Sequence, residues 1–252
     1  MLNPLALNGR RYLITGAASG VGQATAVLLS KLGANLILLD LNEVGLKKTA
    51  EQLETEAFPL PVDLADSNSI RSSLENAIEQ VGPIHGLAHV AEIPYIAPLK
   101  AINAERALKL YQVNQYAAVE LAKAFQSRKI YAGEHGSIVL ISSVYGLVGS
   151  AANVGYAMTK AALIGITKAL SIELAPRRIR VNCIAPGFLR TKMMSENAFR
   201  FNQEYMQRLE TLHPLGLGSP EDIANSIVFL LSDMSSWVTG AVFSVDGGFT
   251  AQ

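Results

Sequence analysis

Short apolar runs alternate along this chain with longer stretches in which apolar residues return every three or four positions. Runs near 11–15, 34–40, 58–62, 84–90, 136–142, 179–184 and 241–246 predict seven strands. Side chains alternate across a strand, so a run that is apolar at successive positions must bury both of its faces. The intervening stretches carry helical stripes. Ile70, Leu74, Ile78 and Val81 follow Asp66 and Ser67, either of which suits an N-cap, and Leu46, Ala50 and Leu53 repeat the pattern. Strands and helices in alternation predict an α/β fold: a doubly wound, seven-stranded parallel sheet with helices on both faces.

The connections between these elements read as short, with one exception. From Phe188 to about Leu217 there is no strand pattern, and a segment of that length in a compact domain predicts a lid or binding loop. Its apolar residues (Phe188, Met193, Met194, Phe199, Phe201, Tyr205 and Met206) either line a pocket or pack a helix onto the domain. No repeat, low-complexity tract or linker interrupts the chain, which predicts one domain over 1–252 with a lid at about 188–217.

Composition narrows the picture without redirecting it. Half of the residues are hydrophobic and 17% are charged, which is ample for a buried core. Twenty-one basic residues balance twenty-one acidic ones, so charge gives no pull toward nucleic acid or an anionic membrane. No apolar stretch approaches the roughly 18 residues of a membrane span, and the first ten residues lack a signal peptide's apolar core. A cytoplasmic address and a small-molecule partner are expected. Cys183 is alone and reads as a buried small hydrophobe. His85, His89, His135 and His213 show no metal-ligand spacing and read as surface or strand-end residues; no metal site is expected.

Two clusters carry candidate chemistry. The first strand runs into Thr15-Gly16-Ala17-Ala18-Ser19-Gly20-Val21-Gly22, followed by the helical run Gln23–Leu32. Glycines permit a tight turn and close approach of a pyrophosphate, and the helix start offers free N–H groups and the positive end of its dipole. Asp40 ends the second strand, 18 residues after Gly22, where a carboxylate can accept bonds from an adenosine ribose diol. Asp63, ending the third strand, suits the adenine amino group or a helix cap equally well. The second cluster is Ser142-Ser143 at a strand end, followed by Tyr156 and Lys160. At i and i+4 the last two share one face of a helix, and an ammonium beside a phenol favours phenolate.

In combination these motifs resemble the short-chain dehydrogenase/reductase family, from Arg11 to Phe249. The resemblance also rests on Asn114, on Pro186-Gly187 with Thr191 four residues after the glycine, and on Val245-Asp246-Gly247-Gly248. It implies a Rossmann-type fold and a homotetramer. Tyr156 is implied as general acid/base, Lys160 as its partner and as ligand of the nicotinamide ribose, and Ser143 as a donor to the substrate oxygen. Asn114 would hold a water linking Lys160 to solvent. Gly16, Ser19, Gly20, Val21, Gly22, Asp40, Asp63, Ala91, Pro186, Gly187 and Thr191 complete the implied cofactor site, with Tyr145 and Asn153 near the substrate. Apolar residues on more than one face of the helices bearing Asn114 and Tyr156 (Ala117, Val119, Leu121, Ala124; Ala161, Leu163, Ile164, Ile166) suit either a subunit interface or deeper burial within one subunit.

The chain departs from the family where Asn-Asn-Ala-Gly is usual and His89-Val90-Ala91-Glu92 stands instead; Glu92 either crowds a diphosphate or points to solvent. Pro214-Leu215-Gly216-Leu217-Gly218 also lacks the arginine commonly found after its first glycine. The leading expectation is an NAD(H)-dependent oxidoreductase of a secondary alcohol or ketone, with NADP disfavoured by Asp40. The alternatives are a 3-oxoacyl thioester reductase close to the family's fatty-acid branch, with Arg177 and Arg178 either greeting an acidic acyl carrier or forming a solvated charge run, and a cofactor-binding regulator without catalysis.

Overall fold

The structure is a computed structural model that describes residues 5–190 and 203–251. The seven expected strands form one sheet: β1 (Arg11–Thr15), β2 (Asn35–Asp40), β3 (Ala57–Pro61), β4 (Gly86–His89), β5 (Gly136–Ile141), β6 (Ile179–Pro186) and β7 (Val242–Val245). Their order is β3-β2-β1-β4-β5-β6-β7 and every pairing is parallel.

Alternation along the strands divides the core into two layers. Tyr12, Ile14, Leu36, Leu38, Val139 and Ile141 face α1 (Gly20–Lys31), α2 (Glu43–Ala50) and, near the chain's end, a helix over Pro220–Leu231. Leu13, Ile37, Leu39, Leu87, Ile138 and Leu140 face α3 (Ser67–Val81) and two helical stretches, Ala117–Phe125 and Val154–Leu174. Cys183 lies in this second layer, fully buried, and burial pushes its thiol up to about 11. It is the inert small hydrophobe expected.

Local signals explain the helix starts. Asp66 caps α3 by accepting from the Asn68 N–H, and Asn42 caps α2 by accepting from Gly45. The helix over Pro220–Leu231 opens on a capping box between Ser219 and Asp222, with Pro220 in its first turn. α4 (Ala104–Tyr111) and α5 (Ala117–Phe125) are one helix interrupted by a π turn over Gln112–Tyr116. α6 (Val154–Leu174) follows β5, and α7 (Gln203–Thr211) and α8 (Pro220–Leu231) lie between β6 and β7.

The expectation of a single long connection needs correction. Residues 90–103, between β4 and α4, hold only a 3-10 turn at Leu99–Ala101. Pro94 and Pro98 forbid a regular helix there, while exposed Ile96 and Leu99 gave the stretch an apolar look. The other long segment is closed at its base by a bridge between Leu189 and Gly218. The readings on Thr191, Met193, Met194, Phe199 and Phe201 fall outside the described residues. Among the described residues no helix is long and apolar enough to cross a membrane, and no cluster of His, Cys, Asp and Glu could hold a metal ion.

Candidate active site

The strand order reverses between β1 and β4, the place where open α/β sheets bind ligands outside the carboxyl ends of their strands. The glycine loop after β1, residues 90–92 after β4, Ser142-Ser143 after β5 and Gly187 after β6 all lie along that edge.

Within the loop the glycines divide their labour. Gly16 has φ +68°, and a Cβ on it would stand 2.8 Å from the Ala91 nitrogen; a Cβ on Gly22 would stand 2.2 Å from the Gly16 carbonyl oxygen. Both are needed for the protein's own packing. Gly20, with φ +54°, opens α1 into free space, since a Cβ there would meet nothing within 4 Å. Ser19 precedes it at the cap position and makes no side-chain capping bond, while Val21 packs against the core. The result is an open cradle at a 12-residue helix's positive end.

Asp40 accepts from the Ala18 N–H at 3.2 Å and from Asn42 at 2.9 Å, fastening the loop to the end of β2. Asn42, not Asp40, caps the following helix. Asp63 is exposed and accepts from Ala65 at 2.9 Å; the cap of α3 is Asp66.

Tyr156 and Lys160 lie in the first two turns of α6. Lys160 is buried along its whole length, its Nζ donating to the Ile141 carbonyl at 2.8 Å and lying 5.4 Å from the centre of the Tyr156 ring. Ser143, buried just beyond β5, accepts from the Tyr145 N–H at 3.2 Å. Glu92 enters this group: it pairs with the Lys160 ammonium, and the Tyr156 hydroxyl donates to its Oε2 at 3.1 Å. Glu92 therefore does not simply point to solvent: its carboxylate turns to Tyr156 and Lys160, with the side chain still 38% exposed. Burial, followed by the Glu92 charge and its hydrogen bond, holds the Tyr156 phenol well above its ordinary range, against an opposing bond from Ser143. In this arrangement the lowering expected from Lys160 is outweighed by burial, and the ammonium is paired with a carboxylate that also contacts the phenol.

The Glu92 segment is held from both sides. The Thr15 hydroxyl accepts from the N–H groups of Val90 and Ala91, each at 3.0 Å, and lies 3.0 Å from His89 Nδ1. Burial lowers His89 to about 4, so the ring is neutral; with both lone pairs of the Thr15 oxygen taken by backbone donors, the Thr15 hydroxyl donates to Nδ1 and the ring's one proton sits on Nε2. On the other side, Asn114 Oδ1 accepts from Ile93 N–H at 2.8 Å and its Nδ2 donates to Ile93 O at 3.0 Å. The Asn114 amide thus braces the loop bearing Glu92. Ser142 Oγ donates to the Lys160 carbonyl at 2.7 Å, tying α6 to β5.

Other expectations fare unevenly. Tyr145 lies edge-on to Phe188, with ring centres 5.7 Å apart, at the mouth of the lid segment. Asn153 is buried, but its amide donates to Ser150 Oγ and the Ala151 carbonyl of its own loop, so the structure does not aim those donors at a substrate. Pro186 is buried, and a Cβ on Gly187 would meet Asp246 Cα at 2.8 Å. His213 is no surface residue: it is buried, accepts from Phe188 N–H at 3.1 Å and donates from Nδ1 to Leu209 O at 2.6 Å. Arg177 and Arg178 precede β6 at the sheet's opposite edge, which removes them as a landing site beside the catalytic group. The bracing roles of Thr15, Ser142 and His213 and the turn of Glu92 toward Tyr156 were not read from the sequence; for Glu92, a charged residue where a glycine is usual was the available signal.

A family profile described as enoyl-(acyl carrier protein) reductase matches residues 16–250. A curated relative, the 3-oxoacyl-[acyl-carrier-protein] reductase FabG of Thermotoga maritima, is 37% identical over 96% of this chain and 98% of its own. The chain belongs to the short-chain dehydrogenase/reductase family. As a member it is an oxidoreductase that acts at a CH–OH or C=O carbon with a nicotinamide cofactor. The crystal structure of carveol dehydrogenase from Mycobacterium avium with NAD superimposes with a TM-score of 0.91 at 27% identity, covering 98% of this chain and 99% of the other. A structure from Agrobacterium tumefaciens with NADP, provisionally titled a 2-deoxy-D-gluconate 3-dehydrogenase, gives 0.89 at 31% identity and covers 100% of both chains.

Proposed function

We propose that this short-chain dehydrogenase/reductase interconverts a secondary alcohol and a ketone with NAD(H), using Tyr156 as general acid/base. The observation that carries the reading is the convergence of Ser143, Tyr156 and Lys160 at the sheet's carboxyl edge, beside an open glycine cradle. The residues fit the cofactor. Gly20 and the start of α1 would take the diphosphate, Asp40 the adenosine ribose and Asp63 the adenine, with Ala91, Pro186, Gly187 and Thr191 toward the nicotinamide.

Lys160 would hold the nicotinamide ribose, for which Glu92 must first release it; the Glu92 side chain is 38% exposed and has room to turn. The bound cofactor supplies or accepts the hydride. Ser143 donates a bond to the substrate oxygen and stabilises its charge as it develops. Tyr156 gives that oxygen a proton in reduction and takes it in oxidation. Asn114, whose amide is committed to Ile93, supports the proton route by fixing the loop rather than by offering its side chain to water.

Preference for NAD(H) over NADP(H) follows from Asp40. A 2′-phosphate there would set a dianion beside a carboxylate, and like-charge contacts cost several kcal/mol. Leu41 and Asn42 offer no cation, and Ser19 is neutral. The lid over 188–217, one domain over 1–252, a homotetramer and a cytoplasmic address complete the proposal. For the tetramer, the exposed Met158 and Ile172 on α6, at 67% and 77%, supply an apolar outer face. A second reading, reduction of a 3-oxoacyl thioester, is favoured by the likeness to FabG.

An absorbance screen of secondary alcohols, polyols, hydroxyacyl thioesters and sugar derivatives against both cofactors tests the substrate class. In it Tyr156→Phe should lose roughly 10²–10⁴-fold in turnover while still binding cofactor. Asp40→Ala should narrow the cofactor preference, chiefly by improving NADP⁺. Near-wild-type turnover in the phenylalanine variant, or a wild-type preference for NADP⁺, overturns the corresponding part.

A further inference from the structure

Glu92 stands where the family usually has glycine, and the fold fixes the backbone on either side of it. Thr15 holds the two residues before it and Asn114 the residue after it, through four hydrogen bonds of 2.8–3.0 Å. Its Oε2 then meets both groups on which the acid/base reading rests, the Tyr156 hydroxyl and the Lys160 ammonium. Its side chain is 38% exposed, whereas that of Lys160 is 2% exposed.

We propose that Glu92 is a positioning residue of the acid/base group, taking the Tyr156 hydroxyl as its donor so that Tyr156 rests as a phenol and is poised to protonate a carbonyl. This rests on the reading of Tyr156 as acid/base, and it adds a pH dependence to each direction of the reaction. The groups facing the Tyr156 oxygen are few. Glu92 comes from the loop after β4, Ser143 and Tyr145 from the loop after β5, and Lys160 from α6 itself. Of these Glu92 and Lys160 are the acid and the base of an ion pair. A carboxylate that accepts from the phenol opposes its ionisation, which agrees with the raised phenol described above.

In reduction, the hydride pair forms the new C–H bond, the carbonyl π pair moves onto oxygen, and the oxygen takes the Tyr156 proton. The phenolate left behind is reprotonated by solvent, which reaches the group on the exposed side where Glu92 stands. In oxidation the same contact is a hindrance, because the phenol must first ionise against a neighbouring negative charge. Carbonyl reduction should therefore be nearly flat through neutral pH, while alcohol oxidation rises only on the alkaline side.

The test is to label tyrosine with ¹³C at Cζ and titrate the Tyr156 resonance in the cofactor-free protein, assigning it by its loss in Tyr156→Phe. Glu92→Gln keeps size and hydrogen bonding while removing charge. Its phenol should ionise at least about one pH unit lower than the wild type's, a tenfold change in the phenol-to-phenolate ratio. Where a working substrate is in hand, the alkaline limb of kcat/KM for oxidation should move by the same amount. Glu92→Gly, which installs the residue usual in the family, guards against a glutamine variant that does not fold, and should shift the same way and bind NAD⁺ at least as tightly. An unmoved midpoint in Glu92→Gln sinks the proposal, and so does a shift seen in Glu92→Gly alone, which would report space rather than charge. If Tyr156→Phe proves fully active, the acid/base reading fails while the titration still reports whether Glu92 and Tyr156 are coupled.

Discussion

Replacing Thr15 by valine removes one oxygen from the fully buried end of β1 and leaves the side chain's shape almost unchanged. That oxygen accepts the N–H groups of Val90 and Ala91 and pairs with His89 Nδ1, all at 3.0 Å. Valine fills the space, so little is lost to a cavity, and the cost comes from three polar groups left without their partner. A buried group stranded in this way costs about 1–3 kcal/mol. Relaxation of the loop after β4 toward solvent should recover part of the sum, giving a net loss of about 3 kcal/mol. For a chain of this size that corresponds to a fall of about 6–12 °C in Tm. Thr15→Ser keeps the hydroxyl and should retain most of the stability. Differential scanning calorimetry of the three proteins at one protein concentration makes the comparison, and the loosened loop should also raise the Kd for the cofactor. The reasoning fails if Thr15→Val melts within a degree or two of wild type, or if Thr15→Ser falls as far as Thr15→Val.

Gly22→Ala should fold yet bind cofactor at least tenfold more weakly, because its Cβ would be forced to within 2.2 Å of the Gly16 carbonyl oxygen and would push the loop out of shape; isothermal titration calorimetry measures this, and unchanged affinity refutes it. The Asp233 carboxylate is held below its ordinary value by the Arg10 side chain, so its contribution is present above the usual carboxylate range and disappears as pH falls through the lowered value. Asp233→Asn should therefore be slightly less stable at pH 7 and lose less than wild type on acidification, as urea midpoints against pH would show; a parallel pH profile in the two proteins counts against the pair. Light scattering should report a mass near four chains at micromolar concentration, and a mass near the 27.0 kDa of one chain would exclude the proposed tetramer.

Much of the architecture was legible because its determinants are local. All seven strands were marked by short doubly apolar runs, and the caps at Asn42 and Asp66 stand next to the stripes they open. The loop between β4 and α4 escaped notice because nothing periodic announces an irregular segment, and its exposed apolar residues imitate a core. Tyr156 and Lys160 could be paired from spacing along one helix. Glu92 could not be joined to them, since the contact spans 64 residues and depends on which way a loop side chain turns. Thr15 and His213 were missed for a related reason. Each uses its polar atoms to bind backbone groups distant in sequence, and the backbone's unmet donors and acceptors leave no mark in the order of side chains.

The π turn at Gln112–Tyr116 has a consequence of its own. One residue added to a helix rotates everything beyond it by about 100° relative to an unbroken spiral. The rod from Ala104 to Phe125 thereby serves two masters. Upstream of the turn only Leu110 is buried; downstream, Ala117, Ala118, Leu121, Ala122, Ala124 and Phe125 are locked against the sheet. Deleting a single residue within the turn would swing these two faces out of phase with each other, although each half would still be a sound helix. Shortening the turn by one residue would therefore put at risk the two bonds by which Asn114 holds Ile93.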